Sequence, residues 1–231
     1  MKNFRLGLFG KKYKDTIINV NKLNSGETNF LKSKSTKLGG IYNIYRSFID
    51  EVDFKVFDEG EVNAFIINET SKSLRTSILD ESFSHEKYNI KYKEIDFLHI
   101  AYVDDIKNLD KINFKKTKTS VDFCTLKPRE QYRNILEDCE LIFDSRERKY
   151  LYQNININTP LILHDKHGCE CLINGEKIYE SKIKPLKNIS VNGAGDIFAG
   201  IFLKIKYYSN IKNSVDLSSI LTKKYLTENE I

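Results

Sequence analysis

Strand-length apolar runs alternate with helical segments through the second half of this chain. Apolar residues three to four positions apart mark the helices, and short continuous apolar stretches mark the strands between them. Such alternation predicts an α/β fold with a parallel sheet, in which ligands bind at the carboxyl ends of the strands. In chain order, the predicted segments are strands Ile95–Val103 and Ser120–Thr125, helix Pro128–Cys139, strand Leu141–Phe143, helix Arg146–Gln153, strand Leu161–Leu163, a hairpin around Asn174-Gly175, and a helix from Gly193 toward Tyr208.

The first half of the chain is built mainly from strands. Its predicted strands are Phe4–Phe9, which ends at Gly10, and then Thr16–Val20, Phe54–Phe57, Ala64–Ile67 and Leu74–Leu79. Between them, Gly39-Gly40 precedes Ile41–Ile49, whose apolar positions have helical spacing. The strand-only pieces, at about 11–38 and 62–82, predict a small β layer separate from the main sheet.

Length and charge limit the classes of function. The 231 residues fit one large domain, and a hydrophobic content of 40% supplies a sizeable core. Lysine and arginine number 37 against 32 for aspartate and glutamate, a mild excess with no long basic block. This distribution argues against a nucleic-acid-binding tail, and it suits a small anionic ligand.

The cysteines and the N-terminal segment indicate the cytoplasm. Four cysteines in a chain of this length do not form a disulfide framework, so we expect free thiols. Met1–Phe9 carries Lys2 and Arg5 without the continuous apolar stretch of a signal peptide, and no apolar run is long enough for a transmembrane helix. We therefore expect a cytoplasmic protein that does not associate with a membrane.

The most specific local signal is Asn192-Gly193-Ala194-Gly195-Asp196 at the start of the last predicted helix. Glycines there let backbone N–H groups approach a ligand closely, and a helix N-terminus favours negative charge. Asp196 lies where a carboxylate can take a proton from a hydroxyl that attacks a phosphate held by those N–H groups. Taken alone, such residues more commonly form a glycine turn that ends a loop, with the aspartate stabilising the first helical turn.

This segment resembles the Gly-Ala-Gly-Asp signature of the ribokinase-like (PfkB) carbohydrate kinase family. Further landmarks follow in the order of that family. They are Asp15, five residues after Gly10, then Gly39-Gly40 followed by Asn43, and the strand-like segments Ala64–Leu79, Asp96–Ile100 and Ser120–Phe123. The resemblance covers most of the chain, from Phe4 to Tyr208.

The resemblance implies a kinase. The fold it implies is a three-layer α/β sandwich with a β lid, spanning residues 1–231 as one domain. ATP would be the phosphate donor, Mg²⁺ the cofactor, and a hydroxyl of a small sugar, sugar derivative or nucleoside the acceptor, with a homodimer formed through the lid. By position, the resemblance assigns catalysis to Asp196 with Gly193, Ala194 and Gly195, substrate contacts to Asp15, Gly39, Gly40 and Asn43, and nucleotide contacts to Gly168, Asn192, Gly193 and Gly195.

Two motifs of that family are altered in this chain. The Asn-x-x-Glu motif, which helps to hold Mg²⁺, falls at Ser145-Arg146-Glu147-Arg148, and a guanidinium cannot bind a metal ion. We predict Glu147 as the substitute metal ligand, with Asp144 as the alternative. The Thr-x-Gly nucleotide turn falls at 164–168 without its threonine, and little chain follows the Gly193 helix to close an adenine pocket.

The altered motifs leave a second interpretation open. A catalytically degenerate member would bind a sugar or nucleotide without turnover and serve as a sensor or partner protein.

The residues His164, His167, Cys169 and Cys171 also offer four zinc ligands. Their spacing matches no common zinc pattern, so core thiols and loop histidines are the simpler interpretation. A third interpretation, a nucleic-acid-binding surface built on the 13 tyrosines and 14 phenylalanines, fits less well than an aromatic core.

Overall fold

Ten strands form one sheet in the part of the molecule that the structure describes. The structure is a computed structural model, and it describes residues 4–47, 52–71, 74–79, 89–186 and 193–228. The strands are β1 (Arg5–Val20), β2 (Leu31–Gly40), β3 (Asp53–Glu69), β4 (Leu74–Leu79), β5 (Phe97–Ile100), β6 (Lys118–Asp122), β7 (Leu141–Ser145), β8 (Leu161–Asp165), β9 (Gly168–Ile173) and β10 (Glu176–Lys182). Their order across the sheet is β10-β9-β8-β7-β6-β5-β1-β3-β4, and β2 pairs with β1.

The centre of the sheet is parallel. Strands β3, β1, β5, β6, β7 and β8 pair in parallel in that order, and β9 and β10 add antiparallel pairings at one edge. The short central strands are buried on both faces, as in β5, where all four residues are buried. Burial on both faces explains why these strands appear in the sequence as continuous apolar runs. The predicted mostly parallel α/β sheet is confirmed.

Helices cover both faces of the sheet. They are α1 (Ile41–Arg46), α2 (Arg133–Asp138), α3 (Ala194–Tyr208) and α4 (Ile211–Glu228). Successive strand residues point to opposite faces. Leu163 therefore joins the core cluster that contains Leu136 of α2, whereas Ile162 joins the cluster that contains Phe202 of α3 and Val215 of α4. The result is the predicted three-layer arrangement. Among the described residues, no helix combines the length and the apolar character needed to span a bilayer.

Strands β1 and β3 extend beyond the central sheet and build the lid. Their outer parts stay paired in parallel from Lys12 opposite Glu61 to Val20 opposite Glu69. Strand β2 pairs with the outer part of β1, and β4 pairs with the outer part of β3. We call these four outer segments the lid sheet. The predicted lid is thus present, but the prediction of short separate strands is wrong, because β1 and β3 run from the central sheet into the lid sheet.

A bulge at Gly10 carries β1 across the predicted break. The pairing register with β3 shifts between Gly10 and Lys12. Gly10 has a φ of +150°, and a Cβ built there would lie 2.9 Å from the carbonyl oxygen of Ala101. Glycine suits such a bulge because it has no Cβ to collide with the neighbouring backbone. The glycine therefore bends the strand instead of ending it.

Other elements also differ from the sequence prediction. Arg146–Tyr152 forms a 3₁₀ helix rather than an α-helix. Helix α1 ends at Arg46, and 48–51, like 80–82 of the predicted lid, lie outside the described residues. The sequence analysis does not predict α4, which packs against α3, β9 and β10. The expectation that little chain follows the Gly193 helix is therefore wrong.

His99 makes the stability of this core depend on pH. Its side chain is fully buried, with Nδ1 2.8 Å from the hydroxyl oxygen of Ser120, and burial lowers its pKa to about 3. In the unfolded chain the pKa of histidine is about 6.5. Between these two values the unfolded state binds the extra proton, so the free energy of unfolding falls as the pH falls.

We predict that His99→Asn, whose amide can replace Nδ1 opposite Ser120, makes this loss less steep. Without the proton that His99 binds in the unfolded chain, the free energy of unfolding changes with pH less steeply, by about 1.4 kcal/mol per pH unit. Urea denaturation of both proteins between pH 6 and pH 4 measures the two slopes. Equal slopes would contradict the assignment.

Candidate active site

A cleft of about 630 Å³ opens between the lid sheet and the carboxyl ends of the central strands. We call it the lid cleft. Its walls come from three sources: the lid sheet, the segments that follow the central strands, and the first turns of α1 and α3. The lining residues are Tyr13, Asp15, Gly40, Asn43, Ala64, Ile66, Ser77, Leu79, Tyr102, Asp105, Asp122, Phe123, Cys124, Thr125, Ser145, Arg148, His164, Gly193, Gly195 and Asp196. This edge of the sheet is the ligand-binding edge that the sequence predicts.

Asp196 lies at the base of the lid cleft, in the first turn of α3. It is only 4% exposed, and each carboxylate oxygen accepts a hydrogen bond from another element. Asn43 of α1 donates through Nδ2 at 2.9 Å, and Tyr102 donates through its hydroxyl at 2.5 Å. These two donors fix the orientation of the carboxylate toward the cleft.

Gly193 and Gly195 leave room for this arrangement. Gly193 precedes α3 with a φ of +78°, and a Cβ at this position would collide with the side-chain amide of Asn43. A Cβ at Gly195 would lie 3.1 Å from Cε1 of His164. The backbone N–H of Ile197 donates the first helical bond, to the carbonyl of Gly193. The N–H groups of residues 194–196 therefore have no intrahelical acceptor, as at any helix start.

Tyr102 is a site residue that the sequence analysis misses. It lies two residues after the end of β5 and adopts the left-handed region, with φ 58° and ψ 46°, which is rare for a bulky side chain. Burial and the negative charge of Asp196 raise the pKa of its hydroxyl well above the usual value, so the group stays a donor. Nothing in the apolar run Ile95–Val103 marks this residue, because the strand ends at Ile100 and the turn that follows has no sequence signature.

Three of the four predicted substrate contacts line the lid cleft. Asp15 of β1, Gly40 at the end of β2 and Asn43 of α1 all line it. Gly39 lies behind them, where a Cβ would come within 2.5 Å of Oδ2 of Asp15. The absence of a side chain at Gly39 thus lets the Asp15 carboxylate lie across β2. Gly40 has a φ of +65°, which turns the chain from β2 into α1.

A second cleft, of about 680 Å³, adjoins the first on the other side of the α3 N-terminus. We call it the α4 cleft, because α4 forms one wall. Its lining residues are Ser145, Glu147, His164, Asp165, Lys166, His167, Ile183, Leu186, Ala194, Gly195, Phe198, Ser219, Thr222, Lys223 and Leu226. Ser145, His164 and Gly195 line both clefts. The start of α3 therefore separates two adjacent cavities.

His164 occupies the boundary between the two clefts. Its ring stacks on Phe198 of α3 with ring centroids 4.7 Å apart. Burial and the positive charges of Arg148 and Arg146 lower the pKa of His164 to about 4. The imidazole is thus neutral at pH 7, in surroundings that disfavour additional positive charge.

Of the predicted nucleotide contacts, Gly168 lines neither cleft. Gly168 begins β9 with a φ of +134°, where a Cβ would collide with the carbonyl of Ser181 on β10. This close approach of β9 and β10 accounts for the glycine, and its contact with a nucleotide stays a prediction. Asn192 lies outside the described residues. Of the histidine and cysteine group, Cys169 and Cys171 are core residues, and all four cysteines of the chain are free thiols, as predicted.

Glu147 lines the α4 cleft, on the same 3₁₀ helix as Arg148. The described residues contain no group of three or more histidine, cysteine, aspartate or glutamate side chains that could hold a metal ion. Mg²⁺ does not require such a group, since one or two carboxylates, water and nucleotide phosphates commonly complete its coordination. A single exposed carboxylate at the cleft wall therefore fits an ion that binds together with a nucleotide.

A buried network of charged residues supports the floor of the lid cleft. Arg129 is fully buried and bridges two fully buried carboxylates, those of Asp104 at 3.3 Å and Asp144 at 2.8 Å. Asp104 also accepts hydrogen bonds from the backbone N–H groups of Cys124 and Thr125. Although burial alone would raise it, these bonds lower the pKa of Asp104. The network thereby fixes the loop that follows β6.

Asp122, at the end of β6, faces the lid cleft from the same floor. It is 5% exposed. Burial and the neighbouring carboxylate of Asp196 raise the pKa of Asp122 well above its usual range. Sequence analysis places this residue within a strand and gives no indication of its position beside Asp196, because that proximity depends on the packing of α3 against the sheet.

Comparison with known proteins agrees with this architecture. The structure superimposes on ribokinase from Arabidopsis thaliana in complex with ribose and ATP with a TM-score of 0.70, at 14% identity, over 98% of this chain and 93% of that one. It superimposes on nucleoside kinase from Methanocaldococcus jannaschii, an archaeal member of the ribokinase family, with a TM-score of 0.69, at 16% identity, over 98% of this chain and 94% of that one. For nucleoside kinase from Burkholderia thailandensis in complex with inosine, the TM-score is 0.69, at 12% identity, over 96% of this chain and 90% of that one. No protein-family model and no curated protein sequence matches the chain. The chain therefore has the ribokinase-like fold.

We predict that Arg129→Met strongly destabilises the protein. Methionine leaves the carboxylates of Asp104 and Asp144 without their shared cation, and breaking a buried ion pair in this way costs about 3–5 kcal/mol. Arg133→Met is the matched control, because Arg133 pairs with Glu130 at the exposed surface, where such pairs contribute about 0–1 kcal/mol. Denaturation with urea measures both variants, and equally small losses would contradict the role of the network.

Proposed function

We propose that this protein is an ATP-dependent phosphotransferase that transfers the γ-phosphate to a hydroxyl of a small sugar, sugar derivative or nucleoside. The observation that carries the proposal is the position of Asp196, whose carboxylate faces the lid cleft at the point where the α4 cleft adjoins it. A carboxylate and a helix N-terminus between two adjacent cavities suit the transfer of a phosphoryl group from a ligand in one to a hydroxyl in the other.

The lid cleft suits a neutral acceptor with several hydroxyl groups. Its polar lining consists largely of side chains that accept hydrogen bonds, among them Asp15, Asn43 and Asp105. Asp105 is itself held by Lys11 at 2.6 Å and by the hydroxyl of Tyr13 at 3.1 Å. Such oxygen acceptors bind hydroxyl groups and repel anions. The neighbours with ribose and inosine bound support this class of acceptor.

In the proposed reaction, Asp196 accepts the proton of the acceptor hydroxyl while that oxygen attacks the γ-phosphorus and the bond to the leaving ADP oxygen breaks. Asn43 and Tyr102 hold the carboxylate in place through their hydrogen bonds. The N–H groups of Ala194, Gly195 and Asp196 lie in the first turn of α3, where they stabilise the negative charge on the transferring group. A positioned base contributes about 10² to 10⁴ in rate, and preorganised donors of this kind are commonly the largest contribution.

We assign the α4 cleft to the nucleotide. Phe198 and Leu226 give it apolar surface, and Lys166 and Lys223 give it positive charge, a combination that suits a base and its phosphates. Structures of this fold with ATP or ADP bound support the binding of a nucleotide. Mg²⁺ would be held by Glu147 and the nucleotide phosphates, and when bound it neutralises charge on those phosphates.

The proposal extends to assembly and location. Phe65 on β3 and Ile78 on β4 pair across the lid sheet and are 46% and 53% exposed. This apolar pair suits contact with the lid of a second copy, as a homodimer through the lid requires. Four free thiols suit a reducing compartment, which supports the cytoplasm as the location.

A second candidate function is binding of a sugar or nucleotide without turnover. The observation that favours it is Arg148, a cation in the segment that resembles a metal-binding motif. Such a protein would serve as a sensor or a partner protein. Catalysis in the presence of Mg²⁺ distinguishes the phosphotransferase, which forms product, from the binding protein, which does not.

We predict that the purified protein, given ATP, Mg²⁺ and a pool of sugars and nucleosides, forms a phosphorylated product detectable by mass spectrometry. Asp196→Asn keeps the shape and one oxygen of the side chain but removes the base, so the rate should fall by about 10² to 10⁴. Thermal stabilisation by a sugar or by ATP without any product would favour the binding protein. Undiminished turnover by Asp196→Asn would overturn the assigned base.

We further predict that Glu147→Gln raises the Mg²⁺ concentration needed for half-maximal activity, by about 10-fold for the loss of one charged ligand to the ion. The matched control is Glu130→Gln, since Glu130 is exposed and pairs with Arg133. A magnesium titration of the initial rate gives the comparison. If both variants require the same Mg²⁺ concentration as the original protein, Glu147 does not hold the ion.

A further inference from the structure

We propose that Arg148 binds the phosphoryl group during its transfer, as a fixed cation on the acceptor side of the reaction. This inference rests on the phosphotransferase function proposed above and adds to it a residue that the altered Ser145-Arg146-Glu147-Arg148 segment would otherwise leave unexplained. It assigns to this chain a guanidinium contact with the transferring group, next to the N-terminus of α3.

The protein holds Arg148 rigidly at the floor of the lid cleft. Its Nε donates to Oδ1 of Asp144 at 2.5 Å, and its Nη2 donates to the backbone carbonyl of Phe123 at 2.8 Å. The side chain is 20% exposed, while Asp144 is fully buried. Two hydrogen bonds from different nitrogens fix the plane of a guanidinium, so little conformational entropy remains to be lost when it binds a ligand.

The remaining nitrogen of Arg148 is available to a ligand. Nη1 has no hydrogen-bond partner among the described residues, and it is not among the buried side-chain atoms that lack one. It therefore borders accessible space, and the accessible space that Arg148 lines is the lid cleft. A charged donor left over in this way suits an anionic oxygen.

Arg148 is not the only cation paired with Asp144. Arg129 already donates to Oδ2 of Asp144 from two nitrogens, at 3.0 and 2.8 Å, and Tyr152 donates to the same oxygen at 2.8 Å. The backbone N–H of Ser145 donates to Oδ1 at 2.7 Å. Asp144 thus has hydrogen-bond partners other than Arg148, and the Asp144 carboxylate orients the arginine.

The charge of the lid cleft gives this arginine a specific task. Among the described lining residues, Arg148 is the only lysine or arginine, whereas Asp15, Asp105 and Asp196 contribute carboxylates. Asp122 also lines the cleft, but its raised pKa disfavours its charged form. An incoming phosphoryl group brings negative charge close to Asp196, and a repulsion of this kind slows transfer unless a cation offsets it. Arg148 is the residue positioned to do so from the same floor.

Consecutive residues of the 3₁₀ helix serve different cavities. Glu147 lines the α4 cleft, and Arg148 lines the lid cleft. A cation on the acceptor side contacts the terminal phosphoryl group but not the phosphates of ADP. Loss of Arg148 should therefore reduce turnover and the binding of a triphosphate, and it should leave ADP binding unchanged.

The test compares Arg148→Met and Arg148→Lys with the matched control Arg146→Met. Arg146 lies two residues before Arg148, carries the same charge, pairs with Asp165 and lines neither cleft. We measure kcat with the acceptor found in the product screen, and we measure by calorimetry the affinity for ADP and for the imido analogue of ATP. We expect Arg148→Met to lower kcat about 100-fold or more, to weaken the imido analogue about 10-fold, and to leave ADP unchanged. Arg148→Lys should recover part of kcat, because it keeps the charge and loses the fork of donors.

The outcomes separate this inference from the function on which it rests. If the original protein forms product but Arg148→Met behaves like Arg146→Met, the assignment of Arg148 is wrong while the phosphotransferase function stands. If Arg148→Met weakens ADP and the imido analogue equally, the arginine acts on the fold of the site, and the assignment is again wrong. Should Arg148→Met fail to fold, the same comparison is made with Arg148→Lys, for which unchanged kcat overturns the proposal. A protein that neither binds ATP nor forms product would overturn both.

Discussion

The site depends on the hydrogen bonds that Asn43 and Tyr102 donate to Asp196. These bonds connect three elements that are far apart in the sequence: α1, the turn after β5, and the start of α3. Each element contributes an unusual backbone feature to the contact, namely positive φ at Gly40, Tyr102 and Gly193. A buried carboxylate is costly unless it is hydrogen-bonded, so the donors stabilise both the ionised Asp196 and the relative positions of the three elements.

The continuity of β1 and β3 places the lid over this carboxylate. Because the same two strands form part of the central sheet and part of the lid sheet, Asp15 is positioned by the backbone pairing that also orders the core. The network of Asp104, Arg129 and Asp144 supports the opposite wall of the lid cleft. The lid cleft is thus bounded by the lid sheet on one side and by buried charged residues on the other, an arrangement that favours precise orientation of a small polar ligand.

The fold was largely predictable from the sequence, and the site only in part. Apolar runs and helical spacing predict the parallel sheet and α3 because burial on one or both faces imposes those patterns. The glycine-rich start of α3 and its Asp196 are recognisable because close approach of backbone to a ligand requires glycine. In contrast, the continuity of β1 through Gly10 depends on pairing with β3, which no local pattern encodes. Tyr102, Asp122 and Arg148 reach the lid cleft through tertiary packing. The buried face of α4 consists largely of serine and threonine, so its role as a cleft wall is apparent only in three dimensions.

In the proposed reaction, Asp196 contacts the attacking hydroxyl at the boundary of two occupied clefts. The most direct measurement is a crystal structure of the protein with the imido analogue of ATP and the acceptor identified by product formation. We expect an acceptor hydroxyl at about 2.6–3.2 Å from a carboxylate oxygen of Asp196, with the terminal phosphate against the N–H groups of residues 194–196. An acceptor bound in the lid cleft with no hydroxyl near Asp196, or a nucleotide bound away from the α4 cleft, would contradict this account.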